Sequence, residues 1–123
     1  LEVGPIMKTA LRIAYEKGAK IAFGTDAGVN DHGTNAYEAV LMNEAGMPER
    51  AILISATINA AELIGITDIT GTIEVGKDAD IIAVSGNPLE DISTLLQPSY
   101  VMVRGNEVDL DVPPVNLFPW PDI

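Results

Sequence analysis

Residues 5–17 place Ile6, Met7, Ala10, Leu11, Ile13 and Ala14 on one side at helical spacing. Pro5 suits a first helical position and Gly18 a left-handed stop, so the pattern predicts a helix over 5–17. Residues 20–24 follow as a short apolar run, predicted as a buried strand. A helix followed by an all-apolar strand is the rhythm of a parallel α/β sheet. Residues 25–34 are rich in Gly, Asp and Asn and read as a loop. Asn35, with Glu38 three positions on, forms a capping-box pattern and predicts a helix over 35–45 that stops at Gly46. Pro48 opens a further helix, predicted to run unbroken to residue 64 and to end at Gly65. Ile52, Ala56, Asn59, Ala60 and Leu63 recur along it at three- and four-residue steps, which assigns them to its buried face.

After Gly65 the period changes. Residues 70–73 and 75–77 carry turn signals around short β segments. Residues 79–84 form a β-branched strand, 85–88 a turn, and 100–104 another strand. Gly105-Asn106 reads as a two-residue hairpin turn leading into Glu107-Val108. Residues 109–123 hold four prolines and no periodicity, and read as an extended or disordered tail. Leu117, Phe118 and Trp120 within it could equally dock on a surface. There is no internal repeat.

Composition narrows the class. The chain has 123 residues, of which 47% are hydrophobic, the size and character of one folded domain or a piece of a larger one. The absence of cysteine removes disulfides and thiolate metal sites. A net charge of −11 argues against nucleic acid and anionic membranes, whose binding requires Lys and Arg. No apolar run is long enough to span a bilayer, and no signal peptide opens the sequence. A cytoplasmic location is the expectation. Leu1 in place of an initiator methionine suggests a processed or truncated product.

The candidate chemistry lies in Ile21-Ala22-Phe23-Gly24-Thr25-Asp26-Ala27-Gly28. An apolar strand delivers one carboxylate, Asp26, into a glycine-bracketed turn, as barrel enzymes place catalytic groups at strand ends. Taken alone, Asp26 reads first as a residue that caps a turn. No nucleophile elbow, P-loop or dinucleotide fingerprint is present.

Three blocks together resemble the C-terminal third of the metal-dependent amidohydrolase superfamily. They are Phe23-Gly24-Thr25-Asp26-Ala27-Gly28 with His32-Gly33 and Asn35, then Thr57-Ile58-Asn59-Ala60-Ala61-Glu62-Leu63-Ile64-Gly65, then Gly71-Thr72-Ile73-Glu74-Val75-Gly76-Lys77-Asp78-Ala79-Asp80 running on to Asp91-Ile92. Their order and spacing are most similar to the imidazolonepropionase-related and Xaa-Pro dipeptidase-like branch.

The resemblance implies an α/β fold: the C-terminal fragment of a (β/α)8 barrel, its last strand and helices, plus C-terminal strands of a small β-sandwich. Residues 1–65 would be the last part of the barrel, with 20–24 its eighth strand. Residues 66–108 would be the sandwich part, and 109–123 the Pro-rich tail. Many relatives carry Thr or Ser between the equivalents of Met47 and Pro48. Its absence here leaves the helix after Pro48 without a polar cap.

The resemblance also implies that Asp26 binds a divalent metal, expected to be zinc, and shuttles protons. The other ligands would be histidines and a carboxylated Lys or Glu from earlier barrel strands. This chain has one histidine, His32, and zinc sites take three or four protein ligands. The chain alone is therefore expected to be catalytically incomplete and to need the remainder of the barrel, from the same precursor or another chain. An oligomer is expected, since a lone barrel strand exposes both edges. The implied substrate is a small molecule or dipeptide cleaved at a C–N bond, with His32 and Asn35 as candidate contacts.

Asp31 is expected to be a solvated loop acid. Thr57 and Asn59 are expected to hydrogen-bond between their helix and loop backbone, Asp80 to be structural and Lys77 solvated. The rival reading is a non-catalytic assembly or interaction module derived from such an enzyme. A weaker third is a metal site shared between identical chains.

Overall fold

The one-sided apolar pattern of the first segment folds as a helix. The computed structural model describes residues 3–25 and 33–111, and helix α1 spans Val3–Glu16. Gly18 follows at φ +78°, a left-handed geometry that carries no Cβ penalty in glycine. Leu11 and Tyr15 pack against the core. Ile6, Met7 and Ile13 stay exposed, Met7 at 66%. The apolar face of α1 is thus wider than what the described residues cover.

Residues 20–24, expected as a strand, join no ladder among the described residues. A strand needs a neighbouring strand to take up its N–H and C=O groups. Here two of those groups turn to helical residues instead, Phe23 N–H to Ser55 O and Ile21 O to Asn59 Nδ2.

Helix α2 spans Tyr37–Glu44 and begins later than the capping-box pattern predicts. Its N-cap is Ala36, with no side-chain cap. Asn35 instead bonds across the loop, its Nδ2 donating to Thr25 Oγ1 at 2.9 Å.

The long helix expected from Pro48 is two helices, α3 over Glu49–Ala56 and α4 over Ile58–Ile64. The break is Thr57, at φ −121° and ψ −96°. Its hydroxyl donates to Leu53 O at 2.7 Å, a back-bond that competes with helix continuation. The break re-aims α4 relative to α3, so the single buried face predicted across both halves is lost. Ile52 is fully buried, whereas Ala56 is exposed and Leu63 is 75% exposed. The start of α3 lacks a side-chain cap, as anticipated. Asn43 braces that start instead, donating to Met47 O at 3.0 Å and Glu49 Oε1 at 3.1 Å.

The second half builds one antiparallel sheet in the order β1-β2-β3, with β1 over Ile81–Val84, β2 over Pro98–Val103 and β3 over Asn106–Glu107. Ile81 pairs with Met102 and Ile82 with Val101, and the register shifts between Ala83 and Val84. At that bulge Ser99 Oγ donates to Ala83 O at 3.2 Å. Val103 pairs with Asn106, so the hairpin turn is Arg104-Gly105, one residue earlier than expected. Both turn residues have positive φ, 49° and 77°, as a two-residue type I′ turn requires.

Ala39, Met42, Met47, Ile52 and Ile92 form the buried core cluster. Ile92 belongs to a short 3₁₀ helix, Ile92–Leu96, whose entry is capped by Asp91 accepting the Ser93 N–H at 2.9 Å. This turn docks the C-terminal half on α2. No helix among the described residues is long and apolar enough to cross a membrane.

Candidate functional site

The segment Ile21 to Thr25 leads into Asp26 and is held at three points. Asn59 Nδ2 donates to Ile21 O at 2.8 Å. The Phe23 N–H donates to Ser55 O at 2.9 Å. Asn35 Nδ2 closes the far end on Thr25 Oγ1. Ile21 and Phe23 also pack against the core. Side-chain packing and backbone bonds together fix this segment without any strand beside it among the described residues.

Asp26, Asp31 and His32 lie outside the described residues. Asn35 is exposed and tied to Thr25, so it stands next to the Asp26 segment in space as well as in motif. Among the described residues, no three His, Cys, Asp or Glu side chains cluster in a way that could hold a metal ion. A cleft of about 480 Å³ opens at the other end of the segment, beside Lys20, Ile21, Arg50 and Asn59. Neither Thr25 nor Asn35 lines it.

Asn59 bonds loop backbone as the sequence suggested, whereas Thr57 bonds within its own helix. Asp80 is structural: it accepts from Thr70 Oγ1 at 2.8 Å and from the Arg104 N–H at 2.9 Å. Those donors hold its carboxyl below the ordinary carboxylate range, the Arg104 N–H foremost. Lys77 departs from expectation. Its side chain is only 15% exposed, since Thr72 Oγ1 accepts its ammonium and Glu74 lies 3.5 Å away. The Thr72 hydroxyl in turn donates to Glu74, which with the Lys77 charge lowers the Glu74 pKa. The Ser55 carbonyl and the Asn43 brace were not foreseen. A polar residue facing a capless helix start was the available signal for Asn43.

Residues 6–108 match the model of the amidohydrolase family. The chain belongs to that family. It is 33% identical to the imidazolonepropionase of Thermoplasma acidophilum over 115 residues, covering 83% of this chain and 28% of that protein. It is 37% identical to the ochratoxinase of Aspergillus niger over 90 residues, covering 72% of this chain and 18% of that protein. Among solved structures it is similar to a Xaa-Pro dipeptidase with methionine bound in the active site. That chain is 53% identical with a TM-score of 0.82, and the match covers 88% of this chain and 27% of that one. The chain therefore spans under a third of the length of these relatives.

Proposed function

We propose that this chain contributes to an amidohydrolase that hydrolyses a C–N bond, with an Xaa-Pro dipeptide as the substrate class to test first. The likeness to the Xaa-Pro dipeptidase, at 53% identity and across 88% of this chain, carries this reading. In it, residues 20–24 are the last strand of a (β/α)8 barrel, 1–65 the end of that barrel, 66–108 the sandwich part and 109–123 a tail. Asp26 is its metal ligand and proton shuttle, and His32 and Asn35 contact substrate.

The family is generally metal-dependent. A divalent metal, zinc in this reading, supplies water acidified toward neutral pH. The described residues do not form a site for it; this chain has one histidine, and in this reading the remaining ligands come from polypeptide beyond it. The chain's own part is the Asp26 carboxylate, which takes up a proton and returns it to the leaving nitrogen. The exposed Ile6, Met7 and Ile13 of α1 support a contact with further polypeptide.

The test is proline release from methionyl-proline by the active assembly carrying Asp26→Asn. Loss of an acid–base group lowers turnover by about 10²–10⁴-fold with the fold retained. Full activity in the variant rejects the role. A tight metal-free homo-oligomer of this chain that turns over no substrate with any partner favours the non-catalytic module instead.

A further inference from the structure

The break between α3 and α4 acts on the segment beside it. In an unbroken helix the Ser55 carbonyl would accept the N–H of residue 59. With the chain turned at Thr57, that carbonyl accepts the Phe23 N–H at 2.9 Å instead. The residue released from that bond, Asn59, points its side-chain amide at Ile21 O, 2.8 Å away and 38 positions earlier in sequence. One helix break thus provides an acceptor and a donor, and both meet the same five-residue segment two residues apart. The carbonyl comes from a buried residue, and Ser55 Oγ is itself satisfied by Ile52 O at 2.7 Å. A segment with no ladder among the described residues would otherwise leave these backbone groups unpaired.

We propose that the α3–α4 break is a two-point clamp and that Asn59 is a positioning residue for the segment leading into Asp26. Asn59 itself touches no reacting group. The consequence for turnover rests on Asp26 acting as the proposed proton shuttle; the clamp itself does not.

Two measurements separate these layers. In this chain, amide hydrogen exchange is read at Phe23 and, as a reference in the core, at Met42. Asn59→Asp keeps the side chain's size but turns an oxygen toward the Ile21 carbonyl, and Asn59→Ala removes the donor outright. Both variants are expected to speed Phe23 exchange at least about tenfold while Met42 stays within about twofold. Unchanged Phe23 exchange in a variant that folds overturns the clamp, as does equal acceleration at both amides.

In the active assembly on methionyl-proline, both variants are expected to lower kcat by about 10–100-fold with KM within about twofold, the mark of misplaced chemistry rather than lost binding. A kcat that holds, or that falls only with the folded fraction, overturns the positioning role. Asp26→Asn run in parallel keeps the outcomes distinct. If that variant stays active, the role of Asp26 fails while Phe23 exchange still reports on the clamp.

Discussion

Asp80 Oδ1 accepts the backbone N–H of Arg104 at 2.9 Å, so a carboxylate just before β1 fixes the hairpin turn that joins β2 to β3. Its other oxygen accepts from the Thr70 hydroxyl, which ties the loop after α4 to the same point. One acid side chain thus links three stretches of the C-terminal half. This arrangement makes the second half sensitive to acid.

The donors around Asp80 depress its folded pKa, the Arg104 N–H contributing most and the Thr70 hydroxyl next. The unfolded chain therefore binds the proton first as pH falls. The stability from this group is complete above the ordinary value of 3.8. It is lost as pH drops below that value through the depressed folded one. Glu74 and Asp91 are lowered as well, by Thr72 and by Ser93 in first place, and act in the same direction. Denaturation midpoints measured from about pH 5 to about pH 3 should fall less steeply for Asp80→Asn than for the parent chain. Parallel slopes would count against the linkage.

Arg104 holds φ +49°, a region that costs most side chains about 1 kcal/mol and that Asn adopts readily. Arg104→Asn should stabilise the hairpin by about 0.5–1 kcal/mol, because Asn-Gly is the favoured type I′ pair. The bond to Asp80 uses the backbone N–H and survives the change. The lost ion pair with Asp78, 4.0 Å apart and well exposed, contributes little. A thermal midpoint that drops in the variant contradicts this expectation.

Gly71 and Gly76 share positive φ, 98° and 93°, but not surroundings. A Cβ on Gly71 would lie 2.7 Å from the Cβ of buried Ala61, whereas one on Gly76 meets nothing within 4 Å. Gly76→Ala should cost about 1 kcal/mol from backbone geometry alone. Gly71→Ala carries that cost plus overpacking of about 1–3 kcal/mol. Urea titration of the two variants isolates the packing contribution as their difference, and equal losses would remove it.

Ile92 is buried in one cluster with Met42, Met47 and Ile52. Ile92→Ala should therefore destabilise α2 and the sheet together, by about 2–5 kcal/mol in a single transition. Circular dichroism would follow the helices, and the NMR signals of β2 the sheet. A helix signal that melts unchanged while the sheet loosens would show that the two halves do not share this core.

Much of the secondary structure was legible because its causes are local. The stop at Gly18, the stop at Gly65 and the apolar β1 strand follow from φ preferences and from side-chain pattern within a few residues. The break at Thr57 was not, since every residue from Glu49 to Ile64 is compatible with one helix. The hairpin turn lies one position earlier than expected, at Arg104-Gly105, where Asp80, 24 residues away, accepts the Arg104 N–H. Asn35 bears a capping signature, yet it bonds across the loop to Thr25, ten residues earlier.

The passage from a helical first half to a β second half, the acid-bearing motif and kinship with the amidohydrolases were all contained in the linear chain, because periodicity, turn residues and motif spacing are properties of neighbours in sequence. Folding alone decided which partner each polar group found. A polar Asn59 on a buried helix face signalled a bond to loop backbone, but Ile21 as its partner, like the pairing of Phe23 with Ser55, is fixed only once the helices are packed.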